Sequence, residues 1–104
     1  MSFFGLFGNN DKESEVIEQY LKDGAVVIDV RSADEYGSGH VNGSKNIALN
    51  VIPGKVKEIK AMNKKVIAVC RSGARSGQAT DFLKQQGIEV INGGPWQNVA
   101  KFVK

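Results

Sequence analysis

One cysteine, one histidine and two prolines are all that this 104-residue chain holds of those types, and each scarcity closes a class of protein. A single cysteine makes no disulfide, so a disulfide-stapled scaffold is excluded. One cysteine with one histidine supplies too few ligands for a zinc site or an iron–sulfur cluster, and no metal is expected. No apolar run approaches the roughly 20 residues needed to span a bilayer. Like-charge runs of five or more residues, internal repeats and low-complexity stretches are missing as well. Charge is nearly balanced: 14 Lys+Arg against 11 Asp+Glu give a net +3 and a pI near 9.1. The eleven lysines are scattered singly or in pairs among acids, the pattern of a solvated surface and not of a nucleic-acid footprint. Only three arginines occur, at Arg31, Arg71 and Arg75. Arginine is the side chain suited to planar, bidentate recognition of oxyanions, so a small anionic ligand is expected in place of a polyanion.

The rest of the chain alternates between two periods. Val16, Ile17, Tyr20 and Leu21 share one face of a short helix that Gly24 stops. Residues 25–30 are a β-branched run without polar alternation, as a strand covered on both faces requires. Ser32 and Glu35 form a capping-box pair that starts a helical turn. Residues 44–49 read as a short extended piece, and residues 52–62 as a helix carrying Val56, Ile59 and Met62. A second buried strand covers residues 65–70 and a helix residues 73–86, stopped by Gly87. Residues 88–91 form a third strand, Gly93, Gly94 and Pro95 a turn, and residues 96–103 a last helix. Strands alternating with helices predict an α/β domain, a parallel sheet covered on both faces. Ahead of it, residues 1–11 form an apolar extension whose Phe3, Phe4 and Phe7 either pack on the domain or meet a partner or membrane surface. The extension lacks the basic and long apolar regions of a secretory signal, and with a free thiol this places the protein in the cytoplasm.

In such sheets ligands bind beyond the carboxyl ends of the strands, and Cys70 ends the second buried run. Behind it come Arg71, Ser72, Gly73, Ala74, Arg75 and Ser76, and then a helix. The small residues let successive backbone N–H groups curl toward one centre, an anion nest, and the helix adds its positive end. A thiol placed there ionises easily and becomes a nucleophile, with two guanidinium groups beside it for an anion.

The loop from Cys70 to Ser76 resembles the active-site loop of the single-domain rhodaneses, a family of sulfurtransferases. The resemblance extends to Asp29-Val30-Arg31, Glu35-Tyr36, the stretch from Gly39 to Ile47, and the Gly93-Gly94-Pro95-Trp96 region, and covers residues 12–104. It implies a rhodanese-like domain with a central parallel sheet of about five strands. It also implies a double displacement: the Cys70 thiolate takes the outer sulfur of thiosulfate or a similar donor, releases sulfite, and passes the sulfur from a persulfide to an acceptor. That acceptor is cyanide in an assay and a thiol or a protein otherwise. By the same resemblance the amides of residues 71–75 stabilise the persulfide, Arg71 and Arg75 meet the donor's oxygens, Asp29 and Arg31 support the site wall, and no cofactor is needed. A persulfide carrier serving a protein partner, with little free turnover, is the alternative, and the apolar Phe3, Phe4 and Phe7 favour it. Cysteine phosphatases and arsenate reductases rank lower. The phosphatases of this fold place five residues between Cys and Arg, whereas four separate Cys70 from Arg75, and the loop holds no acid to protonate a leaving group. His40 is expected in a structural hydrogen bond, Arg31 in a buried ion pair with Asp29 or Glu35, and Trp96 at the start of the last helix. The protein is expected as a monomer or weak homodimer.

Overall fold

The computed structural model describes residues 11–103. Residues 1–10 of the expected extension lie outside the described residues, and with them the contacts expected of Phe3, Phe4 and Phe7. The elements run α1 (Asp11–Lys22), β1 (Val26–Asp29), α2 (Ala33–Gly37), β2 (Lys45–Asn46), a 3-10 helix (Leu49–Lys55), α3 (Val56–Ala61), β3 (Val66–Cys70), α4 (Ala74–Gln85), β4 (Val90–Pro95) and α5 (Gln97–Ala100). Among the described residues no helix is long and apolar enough to cross a membrane.

All pairings are parallel and the sheet order is β2-β1-β3-β4. Among the described residues the sheet has four strands and not about five. The expected strands at 25–30 and 65–70 and the extended piece at 44–49 contain β1, β3 and β2, while the strand expected at 88–91 is shifted to Val90–Pro95; the figure of about five came with the resemblance. From β1 the chain moves to one edge, then returns to the other side of β1 for β3 and β4. The order reverses between β1 and β3, so the crevice at their carboxyl ends is where a ligand is expected to sit.

β3 is central and buried along its whole length, which is why its sequence shows no polar alternation. Its side chains alternate between two cores. Val66, Ala68 and Cys70 join Ile28, Val30, Ile52, Ile59, Ala79 and Leu83 beneath α3, α4 and the 3-10 helix. Ile67 and Val69 join Ile17, Val27, Val41 and Val99 on the α1 and α5 side. Truncating Ile67, which is fully buried, to alanine is expected to cost about 2–5 kcal/mol. In α1 the buried face is Ile17 with Tyr20 and Leu21, and Val16 turns outward at 44% exposure.

Two local expectations change. The helix expected over residues 52–62 begins as the 3-10 helix, which contains Pro53, and becomes α-helical only from Val56. A proline inside an α-helix loses the i−4 hydrogen bond and crowds the preceding turn. The turn expected at Gly93-Gly94-Pro95 is instead the continuation of β4. Its pairing with β3 slips at a bulge: Ala68 faces Asn92 but Val69 faces Gly94. Gly93 is the extra residue, and a Cβ there would lie 2.8 Å from Ile67 Cγ2 and 3.1 Å from Val99 Cγ2. Only glycine lets the bulged strand lie this close to its neighbours, and Pro95 is tolerated because β4 is an edge strand.

Candidate active site

Cys70 ends β3 wholly buried. Immediately after it the backbone reverses through Gly73, whose φ of +99° is left-handed and caps α4 without any side-chain cap bond. A β-carbon is strained in that conformation, so glycine is the fitting residue. The first amides of a helix need acceptors, and here the sulfur supplies one. The Gly73 N–H donates to Cys70 Sγ at 3.0 Å and the Ser76 N–H at 3.4 Å. Ser76 Oγ lies 3.3 Å from the same sulfur. Burial pushes the thiol pKa up, but hydrogen bonds from the Ser76 hydroxyl and from the N–H groups of Ser76, Gly73 and Ser72 outweigh it, leaving Cys70 below the ordinary thiol value.

The loop is held from β4. Asn92, placed by the bulge, donates from Nδ2 to the Gly73 carbonyl at 3.1 Å, and its Oδ1 accepts from the Ser76 hydroxyl at 2.6 Å and the Gly94 N–H at 2.9 Å. Sequence reasoning assigned no role to Ser76 or Asn92. The signal was present: Asn92 is a polar residue closing an apolar strand, and Ser76 lies in the first turn behind the loop.

The three arginines part company. Arg31 is 5% exposed and pairs with Asp29, of the two acids expected, donating from Nε and Nη2 at 2.7–3.0 Å. Its Nη2 also donates to the Gly39 carbonyl at 2.7 Å, and the guanidinium lies 5.2 Å from the Trp96 ring centroid. Trp96 precedes α5, as expected. Arg75, expected beside an anion, instead makes a bidentate pair with Glu35, at 2.7 and 3.0 Å. Glu35 closes the expected capping box with Ser32 at the same time. The Arg75 guanidinium, aided by the Ser32 N–H, holds the Glu35 carboxyl down at about 2. Arg71 and Ser72 are exposed, and among the described residues the Arg71 side chain has no partner. Ala74, at the start of α4, is exposed too. His40 makes its expected bond with the backbone, Nδ1 donating to the Tyr36 carbonyl at 2.8 Å, and the ring stacks on that of Tyr36 at 3.8 Å.

Beside Arg75 a cleft of about 400 Å³ is lined by Val30, Ser32, Ala48, Leu49 and Asn50. A larger hollow, about 470 Å³, lies at the opposite end of β3 and β4, among Lys60, Lys64, Lys65 and Glu89, away from Cys70. The arrangement therefore places around the Cys70 sulfur two N–H groups and a hydroxyl, sets next to it in sequence an exposed guanidinium without a partner among the described residues, and leaves a cleft beside Arg75.

The family model for the rhodanese-like domain matches residues 13–97. A sulfurtransferase of Allochromatium vinosum is 35% identical over 86 residues, 80% of this chain and 79% of that protein. Thiosulfate sulfurtransferase PspE of Escherichia coli is 33% identical over 75 residues, 70% of this chain and 72% of that one. Among solved structures, a rhodanese with anions from E. coli superposes with a TM-score of 0.66 at 32% identity, covering 73% of this chain and 92% of that one. With Cys70 at the end of β3, a Gly-containing loop and a helix start behind it, the chain belongs to the rhodanese-like domain family.

Proposed function

We propose that the protein is a sulfurtransferase that carries sulfane sulfur on Cys70 as a persulfide, taking it from thiosulfate or a similar small anionic donor. The observation that carries this reading is the cradle at Cys70: two N–H groups and one hydroxyl lie within 3.4 Å of the sulfur. Neutral donors of this kind stabilise a negative charge wherever it sits on a short sulfur chain. Relatives that are sulfurtransferases, PspE among them, support the donor class.

In the first half-reaction the Cys70 thiolate attacks the outer sulfur of thiosulfate. A new S–S bond forms, the donor's S–S bond breaks, and sulfite leaves with the electron pair. Arg71, exposed and one residue from the nucleophile, holds the donor's oxygens. Gly73 and Ser76, with the backbone of Ser72, hold the persulfide, while Ala74 and Arg75 set the loop's path into α4. Asp29 and Arg31 hold the adjoining wall. In the second half-reaction an acceptor attacks the outer sulfur and restores the thiolate. The acceptor is cyanide in an assay and a thiol or protein otherwise, so the cycle balances without an added oxidant or reductant.

The test is the intact mass after incubation with thiosulfate and again after cyanide, with thiocyanate quantified. Gain of one sulfur, its loss to cyanide over many turnovers, and no gain in Cys70→Ser of unchanged thermal stability are expected. Gain without turnover would replace catalysis by a carrier role, and absence of gain in the parent protein would remove thiosulfate as donor.

A further inference from the structure

The Ser76 hydroxyl has one proton and two neighbours that accept it. Cys70 Sγ is 3.3 Å away and Asn92 Oδ1 is 2.6 Å away. Which neighbour receives the proton is decided by the orientation of the Asn92 carboxamide, and its own partners fix that orientation. Nδ2 faces a carbonyl, that of Gly73, and Oδ1 faces an N–H, that of Gly94. Turning the amide over would set donor against donor and acceptor against acceptor. Oδ1 therefore faces Ser76, the hydroxyl donates to it, and the serine turns a lone pair to the sulfur. A neutral thiol completes this arrangement, because its S–H donates to that lone pair. A sulfur anion does not: it needs the hydroxyl proton for itself.

Granting the reading of Cys70 as the reacting atom, we propose that Asn92 is a positioning residue that holds the Ser76 proton away from the sulfur in the resting thiol and gives it up when the sulfur carries negative charge. The change is a rotation about the Ser76 Cβ–Oγ bond. The thiol proton goes to solvent, the hydroxyl bond to Asn92 breaks, and one to Sγ forms, while Asn92 keeps its bond from Gly94. Asn92 thereby competes with the sulfur anion for a donor and keeps the thiol from ionising as fully as the cradle alone would allow. Its place is built for the purpose. The bulge at Gly93 sets Asn92 opposite Ala68, and a Cβ on Gly77 would stand only 3.2 Å from its Nδ2. Ser76 is itself wholly buried.

The charged groups around the sulfur are Arg71 on the loop, Arg75 of α4 paired with Glu35 of α2, and the Asp29–Arg31 pair at the end of β1. β4 contributes none between Val90 and Pro95. None of these changes when Asn92 is replaced, so a shift in ionisation belongs to the hydroxyl or to the loop clamp at Gly73.

The experiment is the pH profile of iodoacetamide alkylation of Cys70 in the full chain, for Ser76→Ala, Asn92→Ala, Gly77→Ala and the doubles with Ser76→Ala. Each pH unit of midpoint shift changes the thiolate fraction about tenfold below the midpoint. Ser76→Ala is expected to raise the midpoint and Asn92→Ala to lower it. In the Ser76→Ala background, Asn92→Ala is expected to move it no further. Gly77→Ala, whose Cβ presses on the carboxamide at 3.2 Å from Nδ2 while favouring the helix, is expected to shift the midpoint down by less, and serves should Asn92→Ala fail to fold. A raised midpoint in Asn92→Ala, or an equal shift in both backgrounds, would assign Asn92 to the Gly73 clamp and overturn the proposal. Alkylation needs no sulfur donor, so these profiles stand or fall apart from sulfur transfer.

Discussion

β1 and β3 lie side by side, and each ends on a fully buried acidic group with an arginine just behind it: Asp29 with Arg31, and Cys70 with Arg71. At β1 the acid is answered by a cation. Asp29 accepts from the Arg31 N–H and from Nε and Nη2 of the same residue, and the guanidinium spends its remaining reach on the Gly39 carbonyl and the Trp96 face. At β3 the acid is answered only by neutral donors, and Arg71 stays exposed. A buried carboxylate locked to a guanidinium is finished as chemistry; it orients a wall. A thiol answered by amides ionises easily, yet keeps more nucleophilicity than one driven to a very low pKa, since nucleophilicity falls with thiol pKa. The same sheet edge thus provides one closed end and one open end.

The closed end breaks hardest. Asp29→Asn leaves Arg31 buried without its counter-charge, and removing one partner of a buried pair costs about 3–5 kcal/mol. Urea unfolding is expected to show a large fall in midpoint with little change in slope. A loss below about 1 kcal/mol would mean that the Arg31 charge is answered elsewhere, and the contrast between the two strand ends would dissolve.

The open end breaks differently. Arg71→Ala is expected to raise KM for thiosulfate on the order of tenfold, about 1.4 kcal/mol, with kcat and unfolding midpoint unchanged. The variant's KM should also depend less on added salt, because an exposed charge pair is screened. If Arg75→Ala gave the KM effect and Arg71→Ala none, the donor's partner would be Arg75, and its bridge to Glu35 would have to open in the cycle.

Cys70, its loop and the alternation of the sheet were legible because each rests on neighbours in sequence: a β-branched run, small residues, a helix start. The capping box at Ser32 and Glu35 was legible for the same reason. What stayed hidden depends on contacts across the sheet. Glu35 is an ordinary capping residue until the fold brings Arg75, forty positions away, onto it. Asn92 acquires its place from a bulge that only the pairing of β3 with β4 creates, and two adjacent glycines read as a turn until a neighbouring strand offers them a ladder. The count of about five strands came with the likeness, and the described sheet has four.

The smallest effect separates the two ion pairs. Arg75 and Glu35 keep side-chain exposures of 37% and 30%, against 6% and 0% for Arg31 and Asp29. An exposed pair contributes little and loses that little to salt. Its pH dependence has a definite sign. Glu35 is lowered from 4.5 to about 2 in the folded protein, so the native state binds fewer protons than the unfolded one between those values, and stability drops as pH falls through them. The contribution is fully present above about 4.5 and is lost toward about 2. Relative to Glu35→Gln, the parent protein is therefore expected to lead in urea midpoint near neutrality and to lose that lead across this acid window, at low salt more visibly than at high salt. A lead that persists unchanged to the acid end, or one that salt leaves untouched, would place the Arg75–Glu35 pair with the closed end of the sheet, as a buried fixture in place of a screened tether between α2 and the Cys70 loop.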